Sequence, residues 1–125
     1  MVKVAILGFG VVGSGVAEVL SGNGAGIQKK ADELIEVKYI LDVRDFPDSP
    51  FAQHFVKDFS VIEHDPEVNV VVETIGGVGA ALDFTERALK QGKSVVTSNK
   101  ELVATKGEEL LKIAEEHGVN YMFEA

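Results

Sequence analysis

Cysteine is absent from the 125 residues, which excludes disulfides, thiolate catalysis and cysteine-ligated zinc. The same absence suits a reducing compartment, and the cytoplasm is the expected location. Basic residues are scarce beside acidic ones: 12 Lys and Arg against 20 Asp and Glu leave a net charge of −8. With no basic stripe to neutralise phosphates, neither nucleic acid nor an anionic membrane surface is an expected partner. An anionic ligand would have to be held by local backbone dipoles. Long apolar runs are missing too. The first twenty residues are interrupted by four glycines and Glu18 and show no cleavage pattern. The longest later stretch, 68–82, contains Glu73 and three glycines and is too short to span a bilayer. What remains, 46% hydrophobic and 26% charged with 3 prolines, is the composition of one folded globular domain.

The chain opens on VKVAILGFG, an apolar β-branched run suited to a strand buried on both faces, then glycines. Val12, Val16, Val19 and Leu20 recur at helical spacing until SGNGAG interrupts at 21–26. QKKADELI resumes helix, and EVKYIL forms a second strand. Residues 43–65 show no sustained period and predict a loop with one short helix. A buried strand follows at 68–75, then a helix on Leu82, Ala88 and Leu89 ended by Gly92, then the strand KSVVT. Ser98 and Glu101 read as a capping box opening a short helix near Asn99; Thr105 and Glu108 read as a second box opening another that ends at Gly118. VNYMFEA is a last strand. This alternation predicts an α/β fold, a Rossmann-type doubly wound parallel sheet in a single domain. Its ligand crevice lies outside the strand carboxyl ends, where corners 8–13, 76–79 and 97–100 converge.

Gly8-Phe9-Gly10-Val11-Val12-Gly13 matches the dinucleotide fingerprint in its proper context, after a strand and opening a helix. Gly8 permits the turn, Gly10 the approach of a pyrophosphate, Gly13 close helix–strand packing; the plain alternative is a tight turn that binds nothing. After the second strand come Asp42, the residue type that binds the ribose of NAD, and Arg44, the type that receives the 2′-phosphate of NADP. The spacing from Gly13 exceeds the usual ~20 residues, so solvated loop charges are the alternative; between the cofactors, the arginine tips the expectation toward NADP with NAD also accepted. Thr74-Ile75-Gly76-Gly77 are small enough for backbone to pass close to a nicotinamide ribose, or simply form a turn. Lys100 stands where a helix begins, although the positive end of the dipole disfavours a cation there by a few tenths of a kcal/mol. It is either a tolerated surface lysine or a proton-transfer group beside the nicotinamide. His54, His64 and His117 are too scattered for a metal site.

VAILGFGVVGSGVAEVL, VVVETIGG, GKSVVTSNKELVA and the terminal FEA together resemble the amino-terminal cofactor domain of homoserine dehydrogenase, over the whole chain and least at 22–65. The most specific piece, GKSVVTSNKELVA, carries Ser98 where the family more often has alanine. The resemblance implies reduction of L-aspartate-4-semialdehyde to L-homoserine with NADP or NAD, on the route to threonine, methionine and isoleucine. It implies that residues Gly8 to Gly13 hold the dinucleotide and that Thr74 and Gly76 lie at its nicotinamide end. Ser98 and Lys100 border the cofactor, with Lys100 also contacting substrate and passing a proton. Glu124 matches a glutamate that helps hold a monovalent cation, usually sodium, although the carbonyls that share this task in the family lie beyond Ala125. So do the substrate-binding and dimerising domain, its acidic residues and a second lysine. The full-length parent is expected to be a homodimer, and this fragment to bind dinucleotide weakly and to be inactive alone. Aspartate dehydrogenase, dihydrodipicolinate reductase or a non-catalytic dinucleotide sensor would share the glycine motif; the two enzymes would not be expected to carry VVTSNKELVA.

Overall fold

The computed structural model describes residues 2–23 and 35–123. The helix expected over 28–35 lies outside them except for Ile35, which is strand instead, and Glu124 lies outside them too. Six parallel strands form one sheet in the order β3-β2-β1-β4-β5-β6. They are β1 (Val2–Leu7), β2 (Ile35–Leu41), β3 (Phe55–Val56), β4 (Val68–Glu73), β5 (Ser94–Thr97) and β6 (Tyr121–Phe123). The described helices are α1 (Val11–Glu18), closed by a π-helical turn at Val19–Asn23, then α2 (Phe59–Glu63), α3 (Gly79–Lys90) and α4 (Lys100–Glu116).

Side-chain alternation along the strands divides the core in two. Val4, Ile6, Val37 and Ile40 face Ala17 of α1 and Phe51. Ala5, Leu7, Val71 and Val95 face the other way, onto Phe59, Ala81, Leu89, Leu102 and Leu110. Helices on both faces make the sheet doubly wound, and each buried leucine or isoleucine contributes roughly 1.5–3 kcal/mol. Register does the positioning. Leu7 pairs with Leu41 and with Glu73, Glu73 with Thr97, and Thr97 with Phe123. Leu41 pairs in turn with Val56, so β1 to β5 end in one row, and the turns after β1, β2, β4 and β5 leave from the same edge.

Four details differ from the sequence expectation. The strand expected over 68–75 stops at Glu73, because Gly76 and Gly77 turn the chain with φ of 85° and 72°. The segment 43–65 holds an edge strand, β3, besides its short helix; two residues are too few to show a period. Ser98 does not cap α4. Asn99 does, its side-chain oxygen accepting the Leu102 N–H at 3.1 Å, which makes Lys100 the first helical residue. Thr105 opens no second helix: its hydroxyl donates to the Glu101 carbonyl at 2.8 Å within a continuous 17-residue α4.

Asn99→Ala should therefore cost about 1–2 kcal/mol of stability and Ser98→Ala less than about 0.5. Urea unfolding of the two variants checks this, and the opposite ranking would return the cap to Ser98.

Candidate functional site

Gly8 turns the chain out of β1 with φ 96°, a conformation that favours glycine. Its N–H is held by the Leu41 carbonyl at 2.8 Å. Gly13, in the first turns of α1, presses on this corner: a Cβ there would sit 2.0 Å from the Gly8 carbonyl oxygen and 2.9 Å from Thr74 Oγ1. Helix and strand thus pack backbone to backbone. The Thr74 hydroxyl ties the same corner to β4, donating to the Leu7 carbonyl at 2.7 Å, with the Gly8 carbonyl at 3.1 Å. Gly10 is different, since a Cβ there would meet nothing within 4 Å. It caps α1 without a side-chain bond, so the leading N–H groups and the positive dipole end open onto free space. Such an end receives a phosphate.

The end of β2 supplies a charged wall. Asp42 accepts the Phe9 N–H at 2.9 Å and the Arg44 backbone N–H at 2.8 Å. It also accepts two N–H groups of the Arg44 guanidinium, at 3.1 and 2.9 Å. A carboxylate offers about four acceptor positions, so Asp42 is saturated. The guanidinium, followed by the backbone donors, outweighs burial and holds the Asp42 carboxyl down at about 2. Arg44 also lies over the Phe46 ring, 5.1 Å from its centroid, and Phe46 packs with Phe9 and Phe55 at 5.0 and 5.1 Å. Between this wall, the Gly8–Gly10 turn and Thr74–Ile75 opens a cleft of about 400 Å³, with Lys57 and Phe84 also on its surface.

A second corner lies farther along the edge. Glu73, 1% exposed, accepts the N–H groups of Ile75 at 2.8 Å and Gly76 at 3.0 Å through Oε2, and the Thr97 hydroxyl at 2.6 Å through Oε1. Asn99 links the two turns: its N–H donates to Thr97 Oγ1 at 2.9 Å and its Nδ2 to the Gly77 carbonyl at 2.6 Å. Lys100 follows it, exposed. The phenol of Tyr121, buried on β6, is pushed up to about 12 by desolvation and by the Glu73 charge.

A family model described as homoserine dehydrogenase, NAD binding domain, matches residues 8–124. The chain belongs to the homoserine dehydrogenase family, as its NAD-binding domain. It is 41% identical to the homoserine dehydrogenase of Pseudomonas aeruginosa over 125 residues, 99% of this chain and 29% of that enzyme. With the homoserine dehydrogenase of Lactococcus lactis identity is 38% over 130 residues, 99% of this chain and 30% of the relative. A crystal structure of S. aureus homoserine dehydrogenase superposes with a TM-score of 0.88 at 36% identity, covering 99% of this chain and 32% of that one. The chain thus spans about 30% of the length of these homoserine dehydrogenases.

Within this homoserine dehydrogenase domain the residues singled out by sequence fall into two groups. Gly8, Phe9, Gly10, Asp42, Arg44, Thr74 and Ile75 share the cleft. Val11 and Val12 project from the first turn of α1, 92% and 55% exposed, outside its wall, and Gly13 serves packing. Gly76, Gly77, Ser98 and Lys100 form the second corner, and Glu124 lies outside the described residues. Sequence reasoning missed Glu73 and Lys57, and gave Thr97 and Asn99, inside the expected corner 97–100, no role of their own. For Glu73 there was a signal: a charge closing a strand buried on both faces must find partners. Lys57 gave none, since it reaches the cleft only through the fold. Among the described residues no helix is long and apolar enough to cross a membrane.

Gly13→Ala should cost about 3 kcal/mol or more, because the obstructing atom is backbone. Gly10→Ala should leave stability within about 0.5 kcal/mol and weaken dinucleotide binding at least roughly tenfold. Thermal unfolding and cofactor titration of both variants separate packing from binding; a destabilised Gly10→Ala would make that glycine structural.

Proposed function

We propose that this domain serves an enzyme interconverting L-homoserine and L-aspartate-4-semialdehyde with NADP(H), on the route to threonine, methionine and isoleucine. The observation that carries this reading is the second corner, where Lys100 begins α4 directly after an asparagine bridged to Gly77. In the proposed site the amino end of α1 and Gly10 take the pyrophosphate, and Thr74 to Gly77 border the nicotinamide end. Bound nicotinamide supplies hydride exchange at the carbonyl carbon. Lys100 is the proton carrier: its ammonium protonates the oxygen as the aldehyde becomes an alcohol, and its neutral amine takes that proton back in the reverse direction.

The preference for NADP rests on Asp42. Ribose recognition of the NAD type asks for a carboxylate with free acceptor positions, and those of Asp42 are filled. Arg44, its side chain 60% exposed, and Lys57 in the same cleft offer cations to a 2′-phosphate. NAD is the weaker alternative. The remainder of the polypeptide, on the pattern of the relatives' length, brings the substrate-binding and dimerising domain. The working form in this proposal is a cytoplasmic homodimer, and the 125-residue chain alone is inactive; turnover of aspartate semialdehyde by that chain would overturn this division.

In the full-length enzyme, Arg44→Ala should raise KM for NADPH by roughly tenfold and that for NADH by less than about threefold. Equal changes would remove the arginine from the 2′-phosphate. Lys100→Ala should lower kcat by about 10²–10⁴ with cofactor KM within about threefold. Steady-state kinetics checks both, and a KM effect with unchanged kcat would make Lys100 a phosphate-binding residue instead.

A further inference from the structure

A carboxylate at the end of β4 is not something the strand itself requires. Its neighbours Val70, Val71 and Val72 are those of a strand buried on both faces, and an apolar residue at 73 would continue the pattern at no desolvation cost. The Glu73 side chain instead faces the two turns that make the second corner. Each oxygen serves one of them. Oε2 gathers the N–H groups of Ile75 and Gly76, setting the turn in which Gly76 and Gly77 adopt positive φ. Oε1 takes the Thr97 hydroxyl hydrogen at 2.6 Å.

That second bond has a directional effect. A hydroxyl carries one hydrogen, and with it committed to Glu73 the Thr97 oxygen is left to accept the Asn99 N–H at 2.9 Å. Asn99 is then oriented to do two things: its oxygen caps α4 through Leu102, and its amide nitrogen closes onto the Gly77 carbonyl at 2.6 Å. The circuit runs from Glu73 through Thr97 and Asn99 to Gly77, and back through Gly76 to Glu73. Lys100 is the next residue along the chain, the first of α4. Remove the acceptor at 73 and the hydroxyl is free to turn its hydrogen elsewhere, so Asn99 loses the contact that sets the start of the helix.

We propose that Glu73, acting through Thr97 and Asn99, is the positioning residue that holds Lys100 relative to the Gly76–Gly77 turn. It touches neither cofactor nor substrate; it sets the distance and angle at which the lysine meets them. The proposal rests on the proton-carrying role of Lys100 proposed above. A displacement of this kind acts on turnover before it acts on binding, because proton transfer needs closer geometry than ground-state contact.

The test is a double-mutant cycle in the full-length enzyme: Glu73→Gln, Thr97→Val and Thr97→Ser, each alone and combined with Lys100→Ala, with thermal unfolding as the folding control. Glutamine keeps the size but puts an amide donor against either the Thr97 hydroxyl or the two turn N–H groups; valine keeps the shape of threonine without its hydroxyl. The expected result is a loss in kcat of roughly tenfold or more for Glu73→Gln and Thr97→Val, cofactor KM within about threefold, and Thr97→Ser restored to within about threefold. Combined with Lys100→Ala, the same changes should lower kcat by less than about twofold further, the non-additivity of residues acting as one unit. Wild-type kcat in Thr97→Val, or the full loss repeated in the Lys100→Ala background, overturns the proposal. If Glu73→Gln does not fold, the Thr97 pair completes the cycle on its own. Lys100→Ala alone tests the underlying role: if it keeps wild-type kcat, the proton-carrier assignment fails by itself, and a loss in Thr97→Val then shows an effect that does not pass through the lysine and removes this proposal too.

Discussion

Leu7 stands opposite Leu41 on one side and Glu73 on the other, and Glu73 stands opposite Thr97. Because side chains alternate with a period of two, a slip of one residue in any of these pairings would send a strand's apolar set to the wrong face. Both irregularities in register fall early in β1, between Lys3 and Ala5, so the strands run evenly where they end. Everything at the site depends on that common finish. The glycine turn, the Asp42 wall, the Gly76–Gly77 turn and the start of α4 come from four strands, and they lie side by side because the register leaves their last residues in one row.

In a protein with a net charge of −8, the two fully buried charged residues among those described, Glu73 and Lys93, are met mainly by backbone. Glu73 takes two backbone N–H groups and one hydroxyl. At the opposite end of the sheet, the buried Lys93 ammonium donates to the carbonyls of Asp65 and Val68 at 2.7 and 3.3 Å, and burial lowers its pKa. The two ends differ in what such groups secure. Lys93 ties the loop that enters β4 to the start of β5, which is a matter of fold. Glu73 ties together two turns that leave the sheet, where a small shift alters a site. Both avoid the cost of an unmet buried charge, and only one stands where chemistry is proposed.

The parts of the fold legible in sequence were those with strong local signals. VKVAIL, VNVVVE and SVVT read as strands because a parallel strand covered on both faces must be apolar throughout. The glycine fingerprint was legible because Gly8 and Gly13 answer to local backbone geometry, a left-handed turn and a position where a Cβ would stand 2.0 Å from the Gly8 carbonyl oxygen. Where two neighbours could do the same task, local rules chose wrongly: Ser98 and Asn99 are both good caps, and the serine matched a capping box that the structure does not use. Asn99 wins because its backbone N–H and amide nitrogen are already held by Thr97 and Gly77, partners distant or invisible to a three-residue pattern. β3 escaped notice for another reason, since an edge strand of two residues borrows its identity from pairing with β2.

Composition, strand and helix alternation and the spacing of Gly8, Gly10 and Gly13 were enough, by themselves, to determine a doubly wound parallel sheet and a tight glycine turn after its first strand. These follow from short-range physics, from burial periodicity and from backbone conformations open chiefly to glycine. Only the tertiary structure decided what the polar residues are for. Asp42 is a candidate ribose ligand in the sequence and a saturated carboxylate in the fold, because Phe9 arrives from a turn 33 residues away and Arg44 folds back on it. Glu73 is an interruption of an apolar run in the sequence and the joint of two turns in the fold. The physical reason is the same in both cases: the worth of a buried acceptor lies in the donors that surround it, and those come from segments the chain brings together only when the sheet is in register.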